Sequence, residues 1–211
     1  MIYHIFNRGL DRRLTFTNKR EYQRALAALS FYSYTSSSFR LSWFIKLSPK
    51  KQKEKYDLLK SQKPRVTIMS YCLMPNHFHI LVKQEKDHGI SKFLGDFQNS
   101  YTKFFNKLHE RSGALFSNQF KGVLVENENQ FTHLSRYIHL NPYTSSIANS
   151  ITELEKYPWS SLKGYLGSID EIIDSKPILG LFGNSENYRK FIVDHAGYQK
   201  QLKKIEHLAL E

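Results

Sequence analysis

The stretch MPNHFHILV, residues 74–82, decides how the chain around it folds. Its apolar run, preceded by the turn residues Pro75-Asn76, predicts a buried strand that begins close to His77. Side chains alternate between the two faces of a strand, so His77 and His79 share one face while Phe78 lies on the other. The two imidazoles then stand roughly 6–7 Å apart at Cβ, from a rise of about 3.3 Å per residue. One cation can contact both, although an isolated His-x-His pair is more often only two half-exposed strand histidines.

The elements on either side of this strand follow a regular order. Residues 65–73 predict the strand that pairs with it in an antiparallel hairpin. The other predicted elements are a strand at 2–7, a helix at 18–34, a helix at 89–110, a strand at 120–126 and a helix at 129–142. We expect Pro142 to end the last helix, because proline disfavours the helical conformation of the residue before it. The order predicts an α+β protein with a ferredoxin-like (RRM-like) βαββαβ core and an antiparallel sheet.

Two segments lie outside this core pattern. Residues 46–64 hold seven lysines and predict a solvated helix or loop inserted between core elements, while residues 41–47 fit a short strand or a helix equally well. Residues 170–211 predict two or three short helices. We therefore divide the chain into a domain of residues 1–167, with a Lys-rich insertion at about 46–64, and a helical C-terminal extension of residues 168–211.

The composition limits the classes of protein and partner. The chain of 211 residues carries 31 Lys and Arg against 19 Asp and Glu, a net charge of +12, which favours a polyanionic partner such as nucleic acid. The single cysteine, Cys72, excludes an intrachain disulfide. No apolar stretch approaches the ~20 residues that a membrane span needs. We expect a soluble, intracellular protein with no membrane partner.

A second group of polar residues lies in RYIHLNP, residues 136–142. Residues four apart share one face of a helix, so Tyr137 and Asn141 lie together near the negative end of the helix dipole. An amide oxygen with two imidazoles forms an incomplete ligand set that suits a hard divalent ion such as Mg²⁺ or Mn²⁺, and Zn²⁺ remains an alternative. Tyr101 is the rival tyrosine, but its aromatic neighbours favour packing and no amide follows it at position 105.

Taken together, these motifs resemble those of a known family. His77-Phe78-His79 after Met74-Pro75-Asn76, followed by Tyr137-x-x-x-Asn141-Pro142, resembles the single-tyrosine HUH transposases. The branch that it is most similar to is the transposases associated with repetitive extragenic palindromes (REP). Further matching pieces are YHIFNRG at 3–9, RSGALF at 111–116 and YPWSS at 157–161.

The resemblance implies a DNA transposase, a single-strand endonuclease and strand transferase that cuts DNA beside a hairpin or palindrome. It implies that His77, His79 and Asn141 hold the Mg²⁺ or Mn²⁺ ion. Tyr137 would be the nucleophile that forms a 5′-phosphotyrosine and releases a 3′-hydroxyl. It further implies a monomer or homodimer in the cytoplasm of a prokaryotic cell, associated with the nucleoid. The insertion at 46–64 is a departure from the family pattern.

Other interpretations stay open at this point. Cations at the ends of elements could contact DNA phosphates or simply solvate the surface, and they are Arg8, Arg12, Arg13, Arg111 and Lys121. A non-catalytic protein that binds single-stranded or hairpin nucleic acid would need neither the histidine pair nor Tyr137. A metal-dependent nuclease that uses water would need the histidines alone.

Overall fold

The computed structural model describes residues 1–34, 39–117, 119–197 and 199–200. Its four strands are β1 (Ile2–Arg8), β2 (Val66–Met74), β3 (His77–Gln84) and β4 (Lys121–Leu124). They form one antiparallel sheet in the order β2-β3-β1-β4. Strand β3 lies between β1 and β2, as a split βαβ arrangement requires. The predicted ferredoxin-like core is therefore confirmed.

Helices connect these strands and extend the chain beyond them. In chain order they are α1 (Lys19–Tyr32), α2 (Leu41–Phe44), α3 (Pro49–Lys60), α4 (Gly89–Leu108), α5 (Glu128–Thr144), α6 (Ile151–Lys156), α7 (Leu162–Tyr165), α8 (Lys176–Phe182) and α9 (Ser185–Val193). Side-chain caps fix the start of two long helices, because Asn18 accepts a hydrogen bond from the Glu21 N–H and Asn127 accepts one from the Gln130 N–H. Within the described residues, no helix is long and apolar enough to span a membrane.

Helices α1 and α4 cover one face of the sheet. Their apolar stripes bury Leu29 and Phe97 against strand residues such as Ile80, and Phe78 of the histidine strand packs edge-on against Phe97. The alternation that points Phe78 into this core sends its two histidine neighbours to the opposite face.

Helix α5 and the C-terminal helices cover part of that opposite face. Leu81 of β3, Ile138 of α5 and Tyr188 and Ile192 of α9 belong to a second buried cluster. Helix α5 thus lies across β2 and β3, and it leaves β4 exposed. The predicted boundary between residues 167 and 168 stays a prediction, and residues 201–211 of the predicted extension lie outside the described residues.

Pro142 does not end helix α5, and this expectation was wrong. The helix continues to Thr144, with Pro142 inside its last turn. Proline removes only its own N–H from the helix, and the turn that follows satisfies the nearby carbonyls: Ser145 N–H donates to Asn141 O, at 3.0 Å, and Ala148 N–H donates to Pro142 O, at 3.0 Å. Asn141 nevertheless stays in the final turn, as expected from the sequence.

The two ambiguous segments are both helical. Residues 41–44 form the short helix α2, and the Lys-rich insertion forms α3, whose single buried side chain is Leu59. The N-terminal proline of α3 occupies a position where its missing N–H would have no helical partner in any case.

Candidate active site on the open face of the sheet

Strand pairing brings the histidine pair beside the N-terminal strand. Phe6 of β1 lies opposite His79 and Arg8 lies opposite His77 in the antiparallel register. Residues directly opposite each other in a sheet share a face. The rings of His77 and His79 meet nearly perpendicular, with centroids 5.0 Å apart, so the predicted common orientation is observed.

Hydrogen bonds to Nδ1 orient both imidazoles. His77 Nδ1 lies 2.7 Å from Asn76 Oδ1, and since that oxygen can only accept, His77 Nδ1 carries the proton. His79 Nδ1 lies 3.0 Å from His4 Nε2. Burial lowers the pKa of His4 to about 4, so His4 is neutral at pH 7 and can accept from His79. In this arrangement Nε2 is the lone-pair nitrogen of both His77 and His79, the form in which a histidine ligates a metal.

A tight loop holds Asn76 in place. The Gly9 N–H donates to Asn76 O, at 2.7 Å, directly after β1. A Cβ added at Gly9 would meet the Arg13 carbonyl oxygen at 2.2 Å, so only glycine allows the chain to turn this closely. The loop at 9–13 therefore positions Asn76, and Asn76 in turn orients the His77 ring.

Helix α5 carries the tyrosine to the same place. The Tyr137 ring packs edge-on against His79, with centroids 5.3 Å apart, and against His4 at 5.9 Å. Tyr137 remains 39% exposed, whereas most of the inner side of α5 is buried. The phenol thus lies between the two histidines and solvent, where a large substrate can reach it.

Asn141 lies one turn further along α5. Its Nδ2 donates to the Tyr137 carbonyl at 3.0 Å, while its Oδ1 is buried with no hydrogen-bond donor in the described protein. Buried polar atoms are nearly always paired, so an orphaned amide oxygen requires an explanation. A cation ligated by this oxygen would supply the missing partner.

The three predicted ligands are of types that a divalent ion accepts, although they differ from those of the commonest metal sites. Within the described residues, no group of three or more His, Cys, Asp or Glu side chains is arranged to hold a metal. The set consists of two imidazoles and one amide oxygen, and the third donor is outside those residue types. Such a set leaves coordination positions for oxygens of a phosphate or water.

Part of the chain matches a known family. Residues 45–141 match the family model described as "Transposase IS200 like". The matched region includes the histidine pair, Tyr137 and Asn141. Over this region the chain is similar to the IS200-like transposases.

One solved structure shows the same fold. It is described as the REP-associated tyrosine transposase bound to a REP hairpin, and it is similar to this chain with 13% identity and a TM-score of 0.50. The similarity covers 82% of this chain and 87% of that one. No curated protein matches the chain.

The predicted DNA-contacting cations lie in three places. Arg8 lies opposite His77 and Lys121 lies opposite Phe6, so both are on the face that holds the histidines, and both are exposed. Arg12 and Arg13 lie in the loop beside Asn76, where the Asn76 Nδ2 approaches the Arg12 carbonyl at 3.5 Å.

Arg111 lies just after the end of α4. Its guanidinium donates to Asn106 Oδ1 at 2.6 Å and to the Ala114 carbonyl at 3.0 Å, which ties the end of α4 to the following loop. The structure therefore does not bring Arg111 to the histidine face.

Competing side chains have structural contacts that account for them. The buried Tyr101 hydroxyl donates to the Thr15 carbonyl at 2.6 Å, and burial raises its pKa. His139 is buried between the Tyr188 hydroxyl and Ser161 Oγ, at 2.7 and 2.9 Å. Trp159 stacks on Tyr22 with centroids 4.5 Å apart.

Two residues near the histidine pair were not predicted to act in the site. They are His4, within the predicted first strand, and Asn76, a predicted turn residue. Asn76 precedes His77 directly, so adjacency was the available signal. His4 is 75 residues from His79 in sequence, and only the strand register shows that they meet.

Proposed function

We propose that this protein cleaves and rejoins single-stranded DNA near hairpins, with Tyr137 as the nucleophile and a divalent metal as cofactor. The observation that carries the proposal is the contact of the exposed Tyr137 ring with His79, whose own ring meets that of His77. A hairpin substrate is supported by the related structure, whose description names a bound REP hairpin.

In the proposed cleavage step, Tyr137 Oη attacks a backbone phosphorus and forms a new P–O bond. The P–O3′ bond breaks, the DNA 5′ end stays on the tyrosine as a phosphodiester, and the leaving oxygen takes up a proton to become a 3′-hydroxyl. A phenol has an ordinary pKa near 10 and attacks poorly at neutral pH. A bound Mg²⁺ or Mn²⁺ would polarise a non-bridging phosphate oxygen and so lower the barrier.

Rejoining is the reverse reaction with another DNA end. A 3′-hydroxyl attacks the phosphotyrosine, the P–O bond to DNA re-forms and the phenol is released. The number of phosphoester bonds is unchanged, so no nucleotide hydrolysis is needed.

The residues of the chain have separable roles in this mechanism. His77, His79 and Asn141 would hold the metal ion, while Asn76 and His4 orient the two imidazoles through Nδ1. Arg8 and Lys121 would contact the DNA backbone on the histidine face. Because Tyr137 contacts histidines of its own chain, a monomer could assemble the proposed site. The cytoplasmic, nucleoid-associated location stays a prediction.

The test uses a 5′- or 3′-labelled single strand that contains a palindrome, with Mg²⁺ or Mn²⁺ present. We expect cleavage and a DNA adduct that survives denaturant, both lost in Tyr137→Phe with hairpin binding intact. Tyr143→Phe, on the same helix, is the matched control and should retain both. Cleavage that persists in Tyr137→Phe would indicate a nuclease that uses water, and binding with no cleavage by the wild type would indicate a non-catalytic binding protein.

The metal ligands can be tested without DNA. Asn141→Ala removes the orphaned buried oxygen together with the Nδ2 bond to the Tyr137 carbonyl, so the melting temperature of each protein is compared with and without Mn²⁺. We expect Mn²⁺ to raise the melting temperature of the wild type by mass action and to leave that of Asn141→Ala nearly unchanged. An equal Mn²⁺-dependent shift in both proteins would remove Asn141 from the ligand set.

A further inference from the structure

A basic groove lies on the far side of the sheet from Tyr137. It has a volume of about 1320 Å³ and runs between α1, α4 and the segment at residues 39–46. Six cations line it: Arg20, Arg24, Arg40, Lys46, Lys103 and Lys107. The one acidic side chain in its lining, Asp96, is already paired with Arg65 at 2.5 Å. The groove is therefore strongly positive.

The fold leaves this charge uncompensated by protein. None of the six cations forms a salt bridge within the residues that the structure describes. Arg20 and Arg24 both lie against the ring of Phe104, at 5.8 and 5.5 Å from its centroid. Arg24 Nη2 donates weakly to Ser100 Oγ at 3.3 Å, and its Nε is buried with no acceptor in the described protein. Gathering like charges in a concavity costs energy unless an anionic partner occupies it.

The spacing of the cations fits a chain of phosphates. Arg20 and Arg24 are one helical turn apart on α1, and Lys103 and Lys107 are one turn apart on α4, a separation of about 6 Å along each axis. Aromatic side chains lie among them, including Tyr32, Phe39 and Phe104. Cations that follow a backbone, interleaved with rings on which bases can stack, are typical of single-strand binding surfaces. A flat anionic membrane would fit a concave groove poorly.

We infer that this groove is a second nucleic-acid site, which holds a single-stranded DNA segment away from the nucleophile. The inference goes beyond the proposed function, because the groove shares no residue with the histidine face. Part of its wall, from Phe39 to Lys46, includes α2 and the start of the Lys-rich insertion. This gives the departure from the family pattern a role in binding DNA.

The test compares two triple variants with equal loss of charge. The groove variant is Arg20→Gln/Lys103→Gln/Lys107→Gln, and the control is Lys50→Gln/Lys51→Gln/Lys190→Gln; all six side chains are exposed, so neither set disturbs the core. Both are made in the Tyr137→Phe background, so the result does not depend on cleavage. The probe is an oligothymidylate of about 30 nucleotides, longer than the roughly 4–16 that one single-strand site typically holds.

We expect the groove variant to lose at least tenfold in affinity and the control to lose at most a few-fold. The slope of log K against log salt should fall by about 2 in the groove variant, since each lost phosphate contact on a single strand contributes about 0.7. Equal losses in the two variants would show a general effect of net charge and would overturn the inference.

A second measurement needs no substitution. Acetylation of lysines in the wild-type protein, followed by mass spectrometry, reports which ammonium groups the oligothymidylate covers. Protection of Lys103 and Lys107 together, with Lys50 and Lys51 still reactive, is the expected pattern. Full reactivity of Lys103 and Lys107 under saturating DNA would overturn the inference.

Discussion

At the scale of single residues, the site depends on which nitrogen of each histidine carries the proton. His4 is neutral because burial lowers its pKa to about 4, and it faces the Nδ1 of His79 rather than solvent. A histidine that accepts from another histidine performs the task that a carboxylate or carbonyl performs in many metal sites. His4 is thus a positioning residue, and its effect on chemistry passes through His79.

Replacing His4 by phenylalanine tests this role. The substitution keeps an aromatic ring in place but removes the acceptor for His79 Nδ1–H, so we expect Mn²⁺ affinity, measured by calorimetry, to fall about 10- to 100-fold. The control is Phe6→Leu, which alters a second ring packed on His79, at 5.7 Å, without touching the hydrogen bond. Unchanged Mn²⁺ affinity in His4→Phe would show that the contact between the histidines serves packing only.

The sequence pointed to the residues proposed to carry the chemistry but not to the residues that contact them. His77, His79, Tyr137 and Asn141 could be selected because strand alternation and helical spacing act over a few residues. The partnership of His4 with His79 joins segments 75 residues apart and depends on register, which one sequence does not encode locally. The same reason separates Arg111 from the other predicted cations, because its partners become apparent only when the loop after α4 is closed.

At the scale of elements, periodicity and capping predicted the core helices and strands closely. The prediction that Pro142 ends helix α5 was wrong because of its position near the helix end. Proline destabilises a helix by removing a backbone hydrogen bond, and few such bonds follow Pro142 in α5. The sequence of the insertion fits a helix or a loop, because few of its residues are apolar and only Leu59 of α3 is buried. The insertion docks through one buried side chain, Leu59, and through the half-buried Tyr56, whose hydroxyl contacts Ser30 Oγ.

Helix α3 therefore offers a matched pair of neighbouring leucines. Leu59 is 2% exposed and packs in the main core, whereas Leu58 is 55% exposed. We expect Leu59→Ala to lower the free energy of unfolding by about 2–4 kcal/mol through the cavity it leaves, and Leu58→Ala to change it by less than about 0.5 kcal/mol. Urea unfolding measures both. Similar small effects would mean that α3 is not anchored through Leu59.

At the scale of the whole molecule, two faces of one sheet serve different purposes. One face is sealed by α1 and α4, which bury the larger core and carry the basic groove on their outer side. The other face is partly covered by α5 and the C-terminal helices, and its uncovered part exposes Tyr137 beside the half-buried His77 and the buried His79. DNA held on both sides would have to pass around the sheet.

The second core also makes stability depend on pH. Burial lowers the pKa of His139 from 6.5 to about 3 while Tyr188 and Ser161 satisfy its neutral ring. Below pH 6.5 His139 is protonated in the unfolded chain but stays neutral in the folded chain. Its neutral form therefore contributes fully to stability above that pH, and this contribution is lost as pH falls toward 3. Burial also lowers the pKa of His4, so this residue likewise makes the protein less stable as pH falls.

The corresponding measurement is urea unfolding of the wild type and His139→Gln at neutral pH and at about pH 5. Protonation of His139 in the unfolded chain should lower the free energy of unfolding of the wild type by about 2 kcal/mol between pH 6.5 and pH 5. The variant should start less stable and lose less on acidification. An identical dependence on pH in the two proteins would contradict the assignment of a buried neutral imidazole.

The most direct test of the central claim is to locate the DNA on the protein. The wild type is incubated with a palindromic single strand and Mn²⁺, denatured and digested, and the peptide that carries nucleotide is sequenced by mass spectrometry. The account predicts a single adduct on Tyr137, joined to a 5′-phosphate. An adduct on any other residue, or one joined through a 3′-phosphate, would contradict it.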